Sequence, residues 1–139
     1  MTDIVIDASV ALAWCFRDEA TEVVGWLLEQ LHSGTAVVPM LWPLEVANVL
    51  ALAERRRRIT AAESAQLIAL IATLDIAIDG DAPTLAFGRI LDLAREERLT
   101  AYDAAYLELA MRLGLPLASK DRALCDAAER VGVNVLRAG

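Results

Sequence analysis

Residues 1–12 read MTDIVIDASVAL, and the rest of the chain is arranged around them. Ile4, Val5 and Ile6 form a short β-branched run, the composition of a strand buried on both faces. The run stops at Asp7-Ala8-Ser9, and Val10-Ala11-Leu12 continue in an apolar pattern compatible with a helix. In open α/β sheets, ligands collect in the crevice beyond the carboxyl ends of the strands, where strand hands over to helix. Asp7 is expected at that edge, on what reads as the central strand.

Outward from this opening, helices and short strands alternate. Asp18 to Leu31 has the spacing of an amphipathic helix, with Val23, Trp26, Leu27 and Leu31 on one face, and Ser33-Gly34 ends it. Thr35 to Val38 is a short strand closed by Pro39. Trp42 to Arg58 reads as a helix with Pro43 in its first turn, where proline is tolerated. Thr60-Ala61-Ala62-Glu63 is a capping-box pattern opening a helix to about Leu74. Ile76 to Ile78 is a third strand, and a helix starting at Asp81 or Thr84 runs through Glu97. Thr100 to Leu113 is the next helix, ended by Gly114 and Pro116. Leu117 to Ser119, Asp121 to Arg130 and Val133 to Leu136 complete the pattern as strand, helix and strand. This alternation predicts one α/β domain over residues 1–139, a three-layer α/β/α sandwich on a mainly parallel sheet of roughly five strands.

Hydrophobic residues make up 57% of the chain, above the usual range for a soluble domain. One core does not absorb so much, so part of the apolar surface is expected to be covered by a partner or a second copy. No run reaches the roughly 18 uncharged apolar residues of a membrane helix; Leu67 to Ile78, the most apolar stretch, contains Asp75. No secretory leader is expected, because Asp3 stands where a positive segment belongs and the apolar run is only a strand long. Cys15 and Cys125 have no metal-type spacing and read as two reduced thiols in a cytoplasmic protein. A net charge of −7 disfavours broad electrostatic binding of nucleic acid. It is compatible with an enzyme whose acids are gathered in a cleft and masked by cations.

Singly, the candidate acids have structural explanations. Asp7, with Ser9, suits a helix cap, and Glu45 lies in a first helical turn, where the dipole favours negative charge. Asp103 is the third helical position after Thr100 in a capping-box-like pattern, and Asp121 is placed as an N-cap. Jointly they carry more. Each starts a helix, and in a parallel sheet those starts share one edge, so the four carboxylates could converge. Like charges in one cleft repel unless some stay protonated or a cation joins them. Carboxylate oxygens are hard ligands suited to Mg2+ or Mn2+, and such a site can hydrolyse a phosphodiester. Asn48 falls on the same helical face as Glu45. Ser9 and Ser119 are candidate hydrogen-bond donors around the acids.

Asp7-Ala8-Ser9, Glu45-Val46-Ala47-Asn48, the AYDAAY segment at 101–106 and Ser119-Lys120-Asp121 together resemble a PIN-domain ribonuclease. The length and overall pattern resemble the VapC toxins of bacterial and archaeal toxin–antitoxin pairs. The resemblance spans essentially the whole chain. It implies that Asp7, Glu45, Asp103 and Asp121 are catalytic and bind Mg2+ or Mn2+ for RNA hydrolysis. It further implies a homodimer held inactive by an antitoxin chain that covers the cleft and neighbouring apolar helices. Ser119 stands where the family more often has threonine, which keeps the hydroxyl. Lys120 is less usual beside Asp121, where it reaches either a phosphate or solvent.

Other residues attract attention with less weight. Arg55 to Arg58 wrap round a helix end and make no single stripe, so a solvated, dipole-compatible role is read ahead of an RNA contact. His32 is the only histidine, and a metal-free ribonuclease would want an acid–base pair, usually of histidines. Trp14, Trp26, Trp42, Tyr102 and Tyr106 could stack on bases, but their aliphatic neighbours favour core or interface. Two other functions compete. A receiver-like signalling domain is also a small acidic α/β unit, though the first strand lacks an adjacent acid pair and no mid-chain strand ends in an evident phosphoacceptor. A catalytically inactive interaction module requires no convergence of the acids.

Overall fold

The computed structural model describes residues 3–139, the Arg17 side chain excepted. The opening run forms strand β1 (Asp3–Ile6) and passes through Asp7 into helix α1 (Ala8–Ala13). Successive strand side chains point to opposite faces, yet Ile4, Val5 and Ile6 are all 0% exposed. β1 is therefore covered on both sides, as its all-apolar composition requires. The further strands are β2 (Thr35–Pro39), β3 (Ile76–Asp79), β4 (Leu117–Ser119) and β5 (Val135–Arg137).

All four pairings are parallel, in the order β3-β2-β1-β4-β5. Val5 pairs with Val37 on one side and Leu117 on the other, so β1 is central, as expected. The chain builds β2 and β3 outward on one side of β1, then crosses to β4 and β5 on the other. The order reverses between β1 and β4, where a ligand crevice opens at the carboxyl edge. Helices α2 (Glu22–Gln30), α3 (Trp42–Arg55), α4 (Ala61–Ala72), α5 (Ala82–Leu85), α6 (Leu91–Glu97), α7 (Ala101–Leu113) and α8 (Arg122–Arg130) complete the α/β/α sandwich. Helix α7 is deeply buried at Tyr106, Leu107, Leu109 and Ala110, each 1% exposed or less. Thr100 caps its start, and Gly114, at φ 65°, makes the left-handed turn that ends it.

Four boundaries differ from expectation. The helix expected from Asp18 begins at Glu22, because Thr21 Oγ1 accepts from the Val24 amide; residues 17–19 form a separate 3-10 turn. The helix expected to reach Arg58 ends at Arg55, and Arg57 adopts φ 57° as the chain turns towards α4. The helix expected through Glu97 is broken into α5, a wide turn over Ala86–Ile90, and α6, with Gly88 outside helical geometry. The last strand starts at Val135, because the Val133 amide still bonds Ala128 in the turn after α8. Cys15 and Cys125 are free thiols. Among the described residues no helix is long and apolar enough to cross a membrane.

Candidate active site

Asp7 sits where β1 becomes α1 and is 6% exposed. Its Oδ1 accepts from the Ser9 hydroxyl and from the Val10 amide at 3.4 Å, which makes it the cap of α1. Its Oδ2 accepts from the hydroxyl of Ser119, at the end of β4. Both hydroxyls are themselves occupied as acceptors. Ser9 Oγ takes the Lys120 amide at 3.0 Å, and Ser119 Oγ takes the Asp121 amide at 2.9 Å. A serine hydroxyl has one proton to give, and here each gives it to Asp7. Burial pushes the Asp7 carboxyl up from its ordinary pKa, with the charge of Asp121 adding to it, while the two hydroxyls and the Val10 amide oppose the shift.

Asp121 is exposed and caps α8, with Oδ1 accepting from the Leu124 amide at 2.9 Å. Glu45 lies in the first turn of α3, and its Oε1 accepts from the Tyr106 hydroxyl at 2.6 Å. Burial raises the Glu45 pKa, Tyr106 opposes that, and the charge of Asp103 raises it further. Asp103 lies in the first turn of α7, where only the first half of a capping box forms: its amide donates to Thr100 Oγ1 at 3.1 Å. At α4, by contrast, the Glu63 carboxylate completes its box by returning to Thr60. The Asp103 carboxylate faces the cleft instead. Burial, followed by the charges of Asp121 and Asp7, pushes its pKa up to about 6.

All four acids line one open cleft of ≈ 280 Å³. Ser9, Asn48 and Tyr106 join them on its wall, and Leu12 and Val49 supply an apolar side. The convergence expected from the helix starts is what the fold produces, and Ser119 stands behind the cleft, fully buried. Among the described residues, no lysine or arginine lines it, so none of them supplies a counter-ion to the negative charge. Among the described residues, no three acidic, histidine or cysteine side chains are gathered tightly enough to grip one ion as they stand. The donor chemistry nevertheless suits a hard divalent cation: carboxylate and amide oxygens, uncompensated charge and raised carboxylate pKa values.

Several residues behave differently from their sequence reading. Tyr106 is core, as expected, but its hydroxyl also belongs to the site; its place three residues after Asp103 on a helix was the available signal. Lys120 does not point to open solvent: its Nζ donates to the Glu19 carbonyl at 3.1 Å and to Glu19 Oε1 at 3.3 Å. Arg58 is not simply solvated, since it pairs with Asp18 and Glu19 and lies 3.9 Å from the Phe16 ring centroid. Arg55, Arg56 and Arg57 are exposed, as read. His32 is exposed after α2, just before β2 enters the sheet from the opposite edge, away from the acids. Trp42 is buried, whereas Trp26 and Tyr102 are 44% and 66% exposed.

Comparison with known proteins agrees with this geometry. The PIN domain family model matches residues 4–130. No curated protein matches the chain. Among solved structures, PAE2754 from Pyrobaculum aerophilum superposes with a TM-score of 0.70 at 24% identity, covering 96% of this chain and 90% of that one. FitAcB from Neisseria gonorrhoeae gives 0.65 at 17% identity, covering 97% of each chain. A domain of a functionally unknown protein from Methanocaldococcus jannaschii gives 0.56 at 14% identity, covering 99% and 91%. The chain belongs to the PIN domain family.

Proposed function

We propose that this PIN-domain protein is a metal-dependent endoribonuclease toxin of the VapC type, hydrolysing RNA phosphodiester bonds until a cognate antitoxin covers its cleft. The observation that carries the reading is the meeting of Asp7, Glu45, Asp103 and Asp121 in one cleft. Membership of a family of nucleases supports it. Asp7, Glu45, Asp103 and Asp121 would hold Mg2+ or Mn2+, with Asn48 beside them. When bound, such a cation supplies Lewis-acid activation of the phosphodiester and of the attacking water.

The chain's own groups set the geometry. Ser9 and Ser119 hold Asp7 as an acceptor on both oxygens, so its remaining lone pairs have one orientation. Tyr106 fixes Glu45 by Oε1 and leaves Oε2 for the cleft. One of these carboxylates would take the proton of the attacking water. The water oxygen bonds to phosphorus in line with the departing ribose oxygen.

Exposed apolar side chains support the partners in this reading. Met40, Leu44, Ile78, Phe87 and Tyr102 are 48%, 75%, 57%, 94% and 66% exposed. Two of them, Met40 and Tyr102, line an apolar groove of ≈ 260 Å³ together with Pro83 and Ile90. We assign this face to a homodimer, with the antitoxin lying over the cleft. A receiver-like domain fits less well, because the strand order is β3-β2-β1-β4-β5 and not the 2-1-3-4-5 order of that fold. Incubating partner-free protein with RNA tests the function. Cuts are expected with Mg2+ or Mn2+ and none with a chelator; RNA left intact in all three conditions overturns it.

A further inference from the structure

The connection between α1 and α2 holds the end of β4 at two points, through Ala138 at Ser119 and directly at Lys120. Thr21 Oγ1 donates to the Ala138 carbonyl at 3.0 Å, and the Ala138 amide donates to the Ser119 carbonyl at 2.9 Å. One residue further on, Lys120 Nζ donates to both the carbonyl and Oε1 of Glu19. Glu19 Oε2 is in turn held by Arg58 at 2.8 Å, and that guanidinium is braced on the Phe16 ring. Both carboxylate oxygens of Glu19 are therefore clamped between two cations. Lys120 is 18% exposed at its side chain, far less than a free surface lysine.

We infer that Glu19 is a positioning residue for Asp7, acting through Lys120. The route is short and each link is a hydrogen bond. Glu19 fixes the Lys120 side chain, the Lys120 amide donates to Ser9 Oγ, and that acceptor role turns the Ser9 proton onto Asp7 Oδ1. If Lys120 is released, its amide drifts from Ser9. The hydroxyl then rotates freely, and Asp7 Oδ1 loses a donor. Side chains that orient a ligand-bearing carboxylate from outside the site act on affinity and rate without touching substrate. This inference rests on Asp7 being a metal-holding residue, and its test separates the two.

The variants are Glu19→Ala, Lys120→Met and Lys120→Arg, each compared with the unaltered protein and checked for folding by thermal denaturation. Hydrogen exchange of the residue-120 amide is followed by NMR without metal, Mn2+ affinity by calorimetry, and RNA cleavage as separate kcat and KM. We expect Lys120→Met, which removes both bonds to residue 19, to exchange that amide about tenfold faster, and Glu19→Ala, which keeps the bond to the residue-19 carbonyl, to do so by a smaller factor, with the Cys125 amide of α8 unchanged. Mn2+ binding and kcat are expected to fall by roughly three- to tenfold, with KM steady. Lys120→Arg, still able to reach Glu19, is expected to restore all three. Unchanged exchange and Mn2+ affinity in both Glu19→Ala and Lys120→Met overturn the inference. An unaltered protein that cleaves no RNA overturns the nuclease reading, while amide exchange still decides the link from Glu19 to Asp7.

Discussion

The Tyr106 hydroxyl donates to Glu45 Oε1 at 2.6 Å across the cleft, tying α7 to α3. The two residues are 61 positions apart in the chain, so one bond sets the distance between two walls of the site. Tyr106→Phe keeps the ring in the core and removes only the donor. We expect about 1.5–3 kcal/mol lower stability, the worth of a hydrogen bond to a charged group, and kcat reduced about tenfold. Chemical denaturation and initial rates check both; a variant with unaltered rate separates Tyr106 from the chemistry.

Asp103 ties pH to stability. Its folded pKa of about 6 lies above the ordinary 3.8, so the folded state binds a proton more tightly than the unfolded chain. The stability this contributes is complete below the unfolded value and is lost as pH rises through the folded one. Metal-free protein is therefore expected to be less stable at pH 7.5 than at pH 5, by about 1 kcal/mol from this group after allowing for solvent screening. Asp103→Asn should flatten that slope and stabilise the metal-free protein at neutral pH while abolishing cleavage. Thermal denaturation in chelator across this range decides; a slope that persists unchanged in Asp103→Asn assigns it elsewhere.

Ser119 is fully buried and uses its hydroxyl in both directions, giving a proton to Asp7 and accepting the Asp121 amide. Ser119→Ala strips partners from the buried Asp7 carboxylate and from the Asp121 amide at once. A loss of about 1–3 kcal/mol is expected, with Mn2+ affinity roughly 10–100-fold weaker. Calorimetry measures the affinity directly, and an unchanged value excludes Ser119 from orienting Asp7.

Phe87 is 94% exposed and touches little of its own chain, so Phe87→Glu is expected to change unfolding stability by no more than about 0.5 kcal/mol. If the apolar face joins two copies, the same change turns a dimer into a monomer in light scattering. A dimer that survives it moves the interface elsewhere.

The fold was readable because β1 is wholly apolar over Ile4-Val5-Ile6, and because several helix starts carry a local signal, as at Thr60 and Thr100. The gathering of the acids was readable for the same reason: parallel strands bring those starts to one edge. What could not be read depends on contacts between distant residues. Glu45 and Tyr106 meet from 61 positions apart, Asp18 and Arg58 from 40, and Glu19 and Lys120 from 101. No local periodicity encodes such pairs. The break at Gly88 was missed because Asp81 to Glu97 keeps an apolar spacing through it, and one glycine within a helical pattern is commonly tolerated. The early stop of α3 at Arg55 was missed because arginine is a good helix former; the left-handed turn at Arg57 ends the helix without a glycine.

The most direct test of the account is cleavage of total cellular RNA by purified, partner-free protein with Mg2+, with Mn2+ and with chelator, beside a folded Asp7→Asn variant. The account predicts discrete cuts that need a divalent metal and vanish in Asp7→Asn. Cuts that persist in chelator or in Asp7→Asn, or RNA left whole by folded, partner-free protein, would contradict it.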